Sequence, residues 1–207
     1  FIDLERSFDM ERAQYFGVNL DYLVLANQFE NAEQALDTFI EMAREKSVDF
    51  IVLDSIQALS PKGEQESKKG KVKSIEDDTM ALLARKLSQF FRMSSASVYT
   101  GDVTVLLIGQ SRMNLGGFIA LESLSGGLAL AHWSTLTIKL TRGSKADSPT
   151  EKVEVDDEDH DGKKIKVDKI VGFMSIAKLE KIKISGALVE GSEVRIPYLF
   201  DKGFIEK

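Results

Sequence analysis

Phe50 to Ser60 reads FIVLDSIQALS, a β-branched apolar run that ends in a carboxylate and a hydroxyl. The run is short and free of Gly and Pro, so it reads as a strand buried on both faces, as in the middle of a parallel sheet. Asp54 does not belong inside such a strand. At its carboxyl end Asp54 would emerge in the crevice where open α/β sheets bind ligands, and there it can accept the waters of a nucleotide-bound Mg2+. A second feature is the basic stretch Lys68, Lys69, Lys71 and Lys73, spaced by Gly70 and suited to phosphate contacts. A third is the Gly-containing segment after Arg112, where Met113, Leu115, Phe118 and Ile119 follow neither a helical nor a strand period. Apolar side chains in such a segment can wedge between bases or lie along them. Taken singly, an Asp at a strand end is common in α/β proteins and a lysine run is usually a solvated face. Their combination, and the elements that place them, therefore carry the weight.

Those elements alternate. Phe1 to Leu4 reads as a strand, Asp9 to Phe16 as a short helix and Tyr22 to Ala26 as a second strand. Asn31 can cap a helix whose apolar face is Ala32, Ala35, Leu36, Phe39, Ile40 and Ala43. After the Asp54 strand comes a polar segment, Ser60 to Ser74, then a helix from about Glu76 to Met93 with an acidic start, then a buried strand from Val103 to Ile108. This alternation is the signature of a doubly wound parallel sheet. From Trp133 onward the pattern turns to β segments, Thr135 to Thr141, Val171 to Lys183 and Val194 to Phe200, consistent with antiparallel strands at one edge. Between the first two lies Gly143 to Asp168, a charged hairpin or disordered insertion with a turn expected at Asp161-Gly162. Its acidic stretch lacks the spacing and terminal Glu of an EF-hand, so a Ca2+ loop is not adopted.

With 207 residues and 43% hydrophobic content the chain can bury one substantial core, and a single α/β domain is expected. A net charge of −6 argues against binding nucleic acid by bulk charge, although a local basic loop can do so. There is no Cys, which excludes disulfides and thiolate metal sites and suits a reducing cytosol. His132 and His160 are far apart, so no zinc site is expected. No apolar run approaches a membrane span and no signal peptide is visible, so the chain reads as soluble.

FIDLERSFD at the start, FIVLDS at the Asp54 strand, LLIGQSRMNLGG from Leu106 to Gly117, SGGLAL from Ser125 to Leu130 and KLEKIKISG near the C-terminus occur in this order. With these segments the chain resembles the core of RecA-type recombinases, closest to the bacterial and phage branch, from Phe1 to about Lys207. The resemblance implies an α/β RecA-like P-loop ATPase core: a mostly parallel twisted sheet flanked by helices, with antiparallel strands added at the C-terminal edge. It implies ATP and Mg2+ as cofactors. Asp54 would hold the Mg2+ through water beside Ser55, and Glu5 would activate the attacking water, a positioning task a strand-end carboxylate can perform. Gln110 would contact the γ-phosphate and release the loop attached to it on hydrolysis. Where the family usually has Asn before this Gln, the chain has Gly109.

By the same resemblance Asp9 would lie near the adenine, and Arg12 stands where bacterial members carry an aromatic that stacks on the base; a guanidinium can also stack. Lys181 and Lys183, with Lys178 as a third candidate, would reach a neighbouring subunit's ATP across a filament interface, although alternating lysines also suit an exposed strand face. DNA would be held by Lys68, Lys69, Lys71 and Lys73 in one loop and by Arg112, Met113, Asn114, Gly116, Gly117, Phe118, Gly126 and Gly127 in the other.

No G-x-x-x-x-G-K-[ST] occurs, and in the family that phosphate-cradling loop lies upstream of the strand that begins here at Phe1. The expectation is an incomplete chain, and a protein of these residues alone is expected not to hydrolyse ATP. The expected function is a DNA-dependent ATPase that forms filaments on single-stranded DNA and promotes homologous pairing and strand exchange. Its partners would be single- and double-stranded DNA and further copies in a filament or ring, with no membrane, in the cytoplasm of a bacterial cell or phage-infected host. The alternatives are a RecA-fold ATPase of motor or clock type, or a non-catalytic paralogue acting as a scaffold.

Overall fold

The computed structural model describes residues 1–66, 82–114, 121–124, 127–156, 164–184, 186 and 189–205. They form two compact units, Phe1–Trp133 and Ser134–Lys207. The expected basic stretch Lys68, Lys69, Lys71 and Lys73 lies outside the described residues, as do Gly116, Gly117, Phe118, Gly126 and the expected turn at Asp161-Gly162.

In the first unit β1 (Ile2–Asp3), β2 (Phe50–Asp54) and β3 (Thr104–Leu107) form a parallel sheet in the order β1-β2-β3. The unit also holds α1 (Met10–Tyr15), α2 (Ala32–Arg44), α3 (Lys62–Gln65), α4 (Leu82–Gly101) and α5 (Gly127–Trp133). An antiparallel pair, β4 (Ser111–Asn114) and β5 (Leu121–Leu124), stands between β3 and α5 in the chain. The segment after Arg112 thus begins as a ribbon rather than as irregular loop, because cross-strand backbone hydrogen bonds do not require side-chain alternation. The strand expected at Tyr22 to Ala26 is reduced to a single bridge between Ala26 and Ile2, preceded by a 3-10 turn at Leu20–Tyr22.

The helix α2 forms where the sequence predicts it. Asn31 accepts the N–H of Gln34 at 3.0 Å, and the Gln34 side chain accepts the N–H of Glu30 at 2.7 Å, a reciprocal cap close to a capping box. Ala32, Ala35, Leu36, Phe39 and Ala43 are buried and Ile40 is half-buried, so the apolar stripe meets the sheet. Phe39 meets Phe90 of α4 edge-on at 5.0 Å, and both join Ile51, Leu53 and Leu87 in one core. Burying a side chain such as Phe39 stabilises by about 1.5–3 kcal/mol. The helices α2 and α4 therefore share one face of the sheet. On the other face Phe50 is 51% and Leu106 47% exposed, so among the described residues β2 is not buried on both faces.

Three helices end in the same way. In α1, α2 and α4 the first residue past the cap takes a left-handed conformation: Gly17 (φ 89°), Lys46 (φ 54°) and Asp102 (φ 57°). The next N–H then reaches back five residues, from Val18 to Ala13, Ser47 to Met42 and Val103 to Val98, at 3.0 to 3.3 Å. These are Schellman closures. The helix α4 runs eight residues past the expected Met93 because the Ser94–Ser97 stretch stays helical, and Asp102 rather than a glycine stops it. Gly101 is required for another reason, since a Cβ there would lie 2.3 Å from the carbonyl oxygen of Ala43 where α2 and α4 close on each other.

The second unit is antiparallel. It contains β6 (Leu136–Arg142), β7 (Thr150–Asp156), β8 (Lys164–Ile170), β9 (Gly172–Ile182), β10 (Glu193–Leu199) and β11 (Gly203–Phe204). A four-stranded sheet has the order β11-β10-β9-β6, and β7 pairs with β8 as a separate ribbon. Phe173 stacks on Tyr198, Phe204 meets Tyr198 edge-on, and the Arg142 guanidinium lies 4.8 Å from the centre of the Phe173 ring. In the ribbon Glu151 faces Lys169, Lys152 faces Asp168 and Glu154 faces Lys166, so opposite charges pair across the strands. The molecule is a mixed α/β protein with one parallel sheet and several antiparallel ones. Among the described residues no helix is long and apolar enough to cross a membrane.

Candidate functional site

The parallel register brings the carboxyl ends of β1 and β2 level, with Asp3 directly opposite Asp54. Two carboxylates side by side at a strand edge repel each other, and the chain separates their tasks. Asp3 is 1% exposed and turns inward, accepting the N–H groups of Ser7 at 3.2 Å and Phe8 at 2.9 Å. That clasp closes a tight turn in which Arg6 adopts a left-handed φ of 56°. The turn carries Glu5 over the end of β2, where the buried hydroxyl of Ser55 donates to the Glu5 carboxylate. The Asp54–Ser55 peptide bond is cis.

Asp54 remains half-buried at the edge. Its own burial, then the charge of Glu5 and then that of Asp3, hold its carboxyl above the usual carboxylate range. Oxygen donors whose negative charge is mutually unfavourable suit a hard divalent cation, which would relieve that repulsion. Among the described residues no group of three or more His, Asp or Glu is arranged to hold a metal directly. Asp54 is the half-buried carboxylate of this edge, with Glu5 and Asp3 beside it.

Hydrogen bonds beyond the strands bring in Gln110. The N–H of Ile108 donates to Leu53 at 3.0 Å and the N–H of Ile56 donates to Ile108 at 2.9 Å, so the chain leaving β3 runs beside the 3-10 turn Ile56–Ala58. There the Gln57 amide donates to the carbonyl of Gln110 at 2.9 Å. The other end of that amide, Oε1, is buried without a partner among the described residues.

The remaining expected residues are placed as follows. Asp9 caps α1 by accepting the N–H of Arg12 at 2.9 Å, and the Arg12 guanidinium lies 5.2 Å from the centre of the Phe16 ring. Both have structural work inside α1. Arg112, Met113 and Asn114 lie in β4, and Gly127 opens α5. Lys181 lies near the end of β9 and Lys183 one residue past it, both in the second unit. Desolvation and then the charge of Lys183 lower the pKa of Lys181, and Glu190 acts against them. Glu190 also accepts the N–H of Ile182, between the two lysines, at 3.1 Å.

Asp3, Gln57 and Glu190 are the residues that sequence reasoning passes over. Only Asp3 carries a signal, a carboxylate inside an apolar strand. A cavity of about 190 Å3 lined by Leu4, Arg6, Asn27, Phe29, Asn31 and Gln65 opens in the same unit. Glu5, Asp54 and Gln110 do not line it, so it is not where their chemistry would occur.

In open parallel α/β sheets ligands bind beyond the carboxyl ends of the strands, which is where Glu5, Ser55, Asp54 and the Gln110 backbone lie. The RecA N-terminal domain family matches residues 1–186. Protein RecA of a Nitratiruptor species is 39% identical over 144 residues, which are 69% of this chain and 40% of that protein. Protein RecA of Nautilia profundicola is 37% identical over 144 residues, 69% of this chain and 39% of that protein. Protein RecA of Petrotoga mobilis is 35% identical over 145 residues, 70% of this chain and 38% of that protein. The chain belongs to the RecA N-terminal domain family, and the matched stretch spans about two fifths of these curated relatives' length.

Proposed function

We propose that the chain is part of a RecA-like P-loop ATPase core from a DNA-dependent recombinase, one that forms filaments on single-stranded DNA and promotes homologous pairing and strand exchange. The observation that carries this reading is the convergence of Glu5, Ser55, Asp54 and the Gln110 backbone at one sheet edge in a chain of this family. Mg2+, when bound with ATP, would supply electrostatic stabilisation of the phosphate oxygens. Asp54 is the residue that would hold it. Glu5, fixed by the Ser55 hydroxyl, orients the attacking water, and Gln110 hydrogen-bonds the terminal phosphate. Lys181 and Lys183 offer a cation pair to the nucleotide of a neighbouring copy, which makes turnover depend on assembly. The two loops carrying Lys68, Lys69, Lys71, Lys73 and Arg112 to Phe118, with Gly126 and Gly127, hold DNA.

On this reading the 207 residues belong to one core with the 143–170 hairpin as an insertion, the chain by itself does not turn over ATP, and the setting is a bacterial or phage-infected cytoplasm. Electron microscopy of the complete gene product with single-stranded DNA and a slowly hydrolysed ATP analogue tests the assembly. Regular filaments on the strand are expected. Free rings or isolated particles that ignore DNA would overturn the recombinase reading in favour of another RecA-fold ATPase.

A further inference from the structure

Gln57 has no part in the chemistry assigned above, yet it follows Asp54 closely in the chain and touches Gln110. It lies in the 3-10 turn three residues beyond Asp54, and its Nε2 donates to the carbonyl of Gln110 at 2.9 Å. The space it fills is left by Gly109. A Cβ at position 109 would lie 3.6 Å from Gln57 Nε2, in ordinary contact, so a longer side chain there would compete with the Gln57 amide for one location. The amide cannot be turned over without cost, since Oε1 would then oppose the Gln110 carbonyl oxygen. In the present orientation Oε1 is buried and unpartnered among the described residues. Buried polar atoms are ordinarily paired, so this oxygen is an acceptor open to a donor from outside the described residues. Gln110 in turn leads directly into β4 (Ser111–Asn114), so whatever fixes the Gln110 backbone fixes the root of the following segment.

We propose that Gln57 is a positioning residue that ties the end of β2 to the Gln110 backbone, so that events at Asp54 are passed to the β4 segment through one side-chain amide. The functional half of this inference rests on the recombinase reading; the mechanical half does not. Occupation of Oε1 by a donor that arrives with nucleotide or DNA would shift the amide and release or tighten the Gln110 carbonyl, an order-disorder device of small amplitude.

Two measurements on the complete gene product separate the halves. Hydrogen exchange of residues 108–114 reads the tie directly. It is expected to quicken in Gln57→Ala and in the isosteric Gln57→Glu, where an oxygen replaces the donor; unchanged exchange in both, with folding verified by melting, overturns the proposal. ATP turnover with and without single-stranded DNA reads the coupling. Gln57→Ala is expected to lower the ratio of DNA-stimulated to unstimulated kcat about tenfold, the scale of one lost hydrogen bond, with KM for ATP nearly constant. Adding Gly109→Asn to Gln57→Ala returns an amide to the vacated space and is expected to recover most of the ratio. An unaltered ratio, or no recovery in the double variant, overturns the coupling role. If the unsubstituted protein shows no stimulation by DNA, the recombinase reading falls, and the exchange data alone decide whether Gln57 holds Gln110.

Discussion

In the complete gene product Glu5→Gln is expected to lower kcat for ATP hydrolysis by roughly 10²–10⁴-fold, the usual contribution of a positioned general base. ATP affinity and ATP-dependent DNA binding should change little. The substitution is nearly isosteric. The amide can still accept the Ser55 hydroxyl through its oxygen, so the turn that carries residue 5 should survive. What is lost is the negative charge that orients and polarises a water. Steady-state turnover together with equilibrium binding of a fluorescent ATP analogue separates the two effects. A fall in affinity that accounts for the whole loss would make Glu5 a binding residue, and normal turnover would remove it from the site.

The second large effect is expected at Asp3, which touches no substrate in this account. Its carboxylate is buried and accepts two backbone N–H groups, so Asp3→Asn replaces one acceptor by a donor and leaves Ser7 or Phe8 unsatisfied. Hydrogen bonds to a charged group are worth about 1.5–3 kcal/mol, and a loss of that order is expected in urea denaturation. Removal of the Asp3 charge also eases the strain on Asp54, which offsets part of the loss. Because the clasp shapes the turn bearing Glu5, kcat should fall too, with recovery in neither property from added Mg2+. An unchanged denaturation midpoint would show that the Ser7 and Phe8 bonds are not what holds the turn.

The contrast between Asp3 and Asp54 shows where the sequence is readable. Asp54 ends a five-residue apolar strand, so its position at an edge follows from pattern alone, and the structure leaves it half-buried there. Asp3 occupies the same place on a neighbouring strand, yet its partners lie four and five residues later in a turn set by the left-handed Arg6, which no residue type announces. The end of α4 is hard to place for a related reason: the left-handed residue that closes it is Asp102, one position after the glycine that would be expected to take that role. The α2 helix is legible because cap, period and burial agree.

Burial of β2 is where pattern misleads. A run of Ile, Val and Leu describes what a strand tolerates on each face, whereas among the described residues α2 and α4 cover one face and Phe50 and Leu106 are exposed on the other. The tie from Gln57 to Gln110 has no signal in the sequence, since it joins residues 53 positions apart through a side chain in an irregular turn. Gly109 is visible there only as a missing side chain. Its meaning comes from what fills the space.

The proposal that this sheet edge serves ATP hydrolysis coupled to DNA is tested by turnover of the complete gene product titrated with single-stranded DNA. Low turnover without DNA, a strong rise that saturates as the strand becomes covered, and loss of the stimulated rate in Asp54→Ala are expected. Turnover indifferent to DNA, or no turnover under any condition, would contradict it.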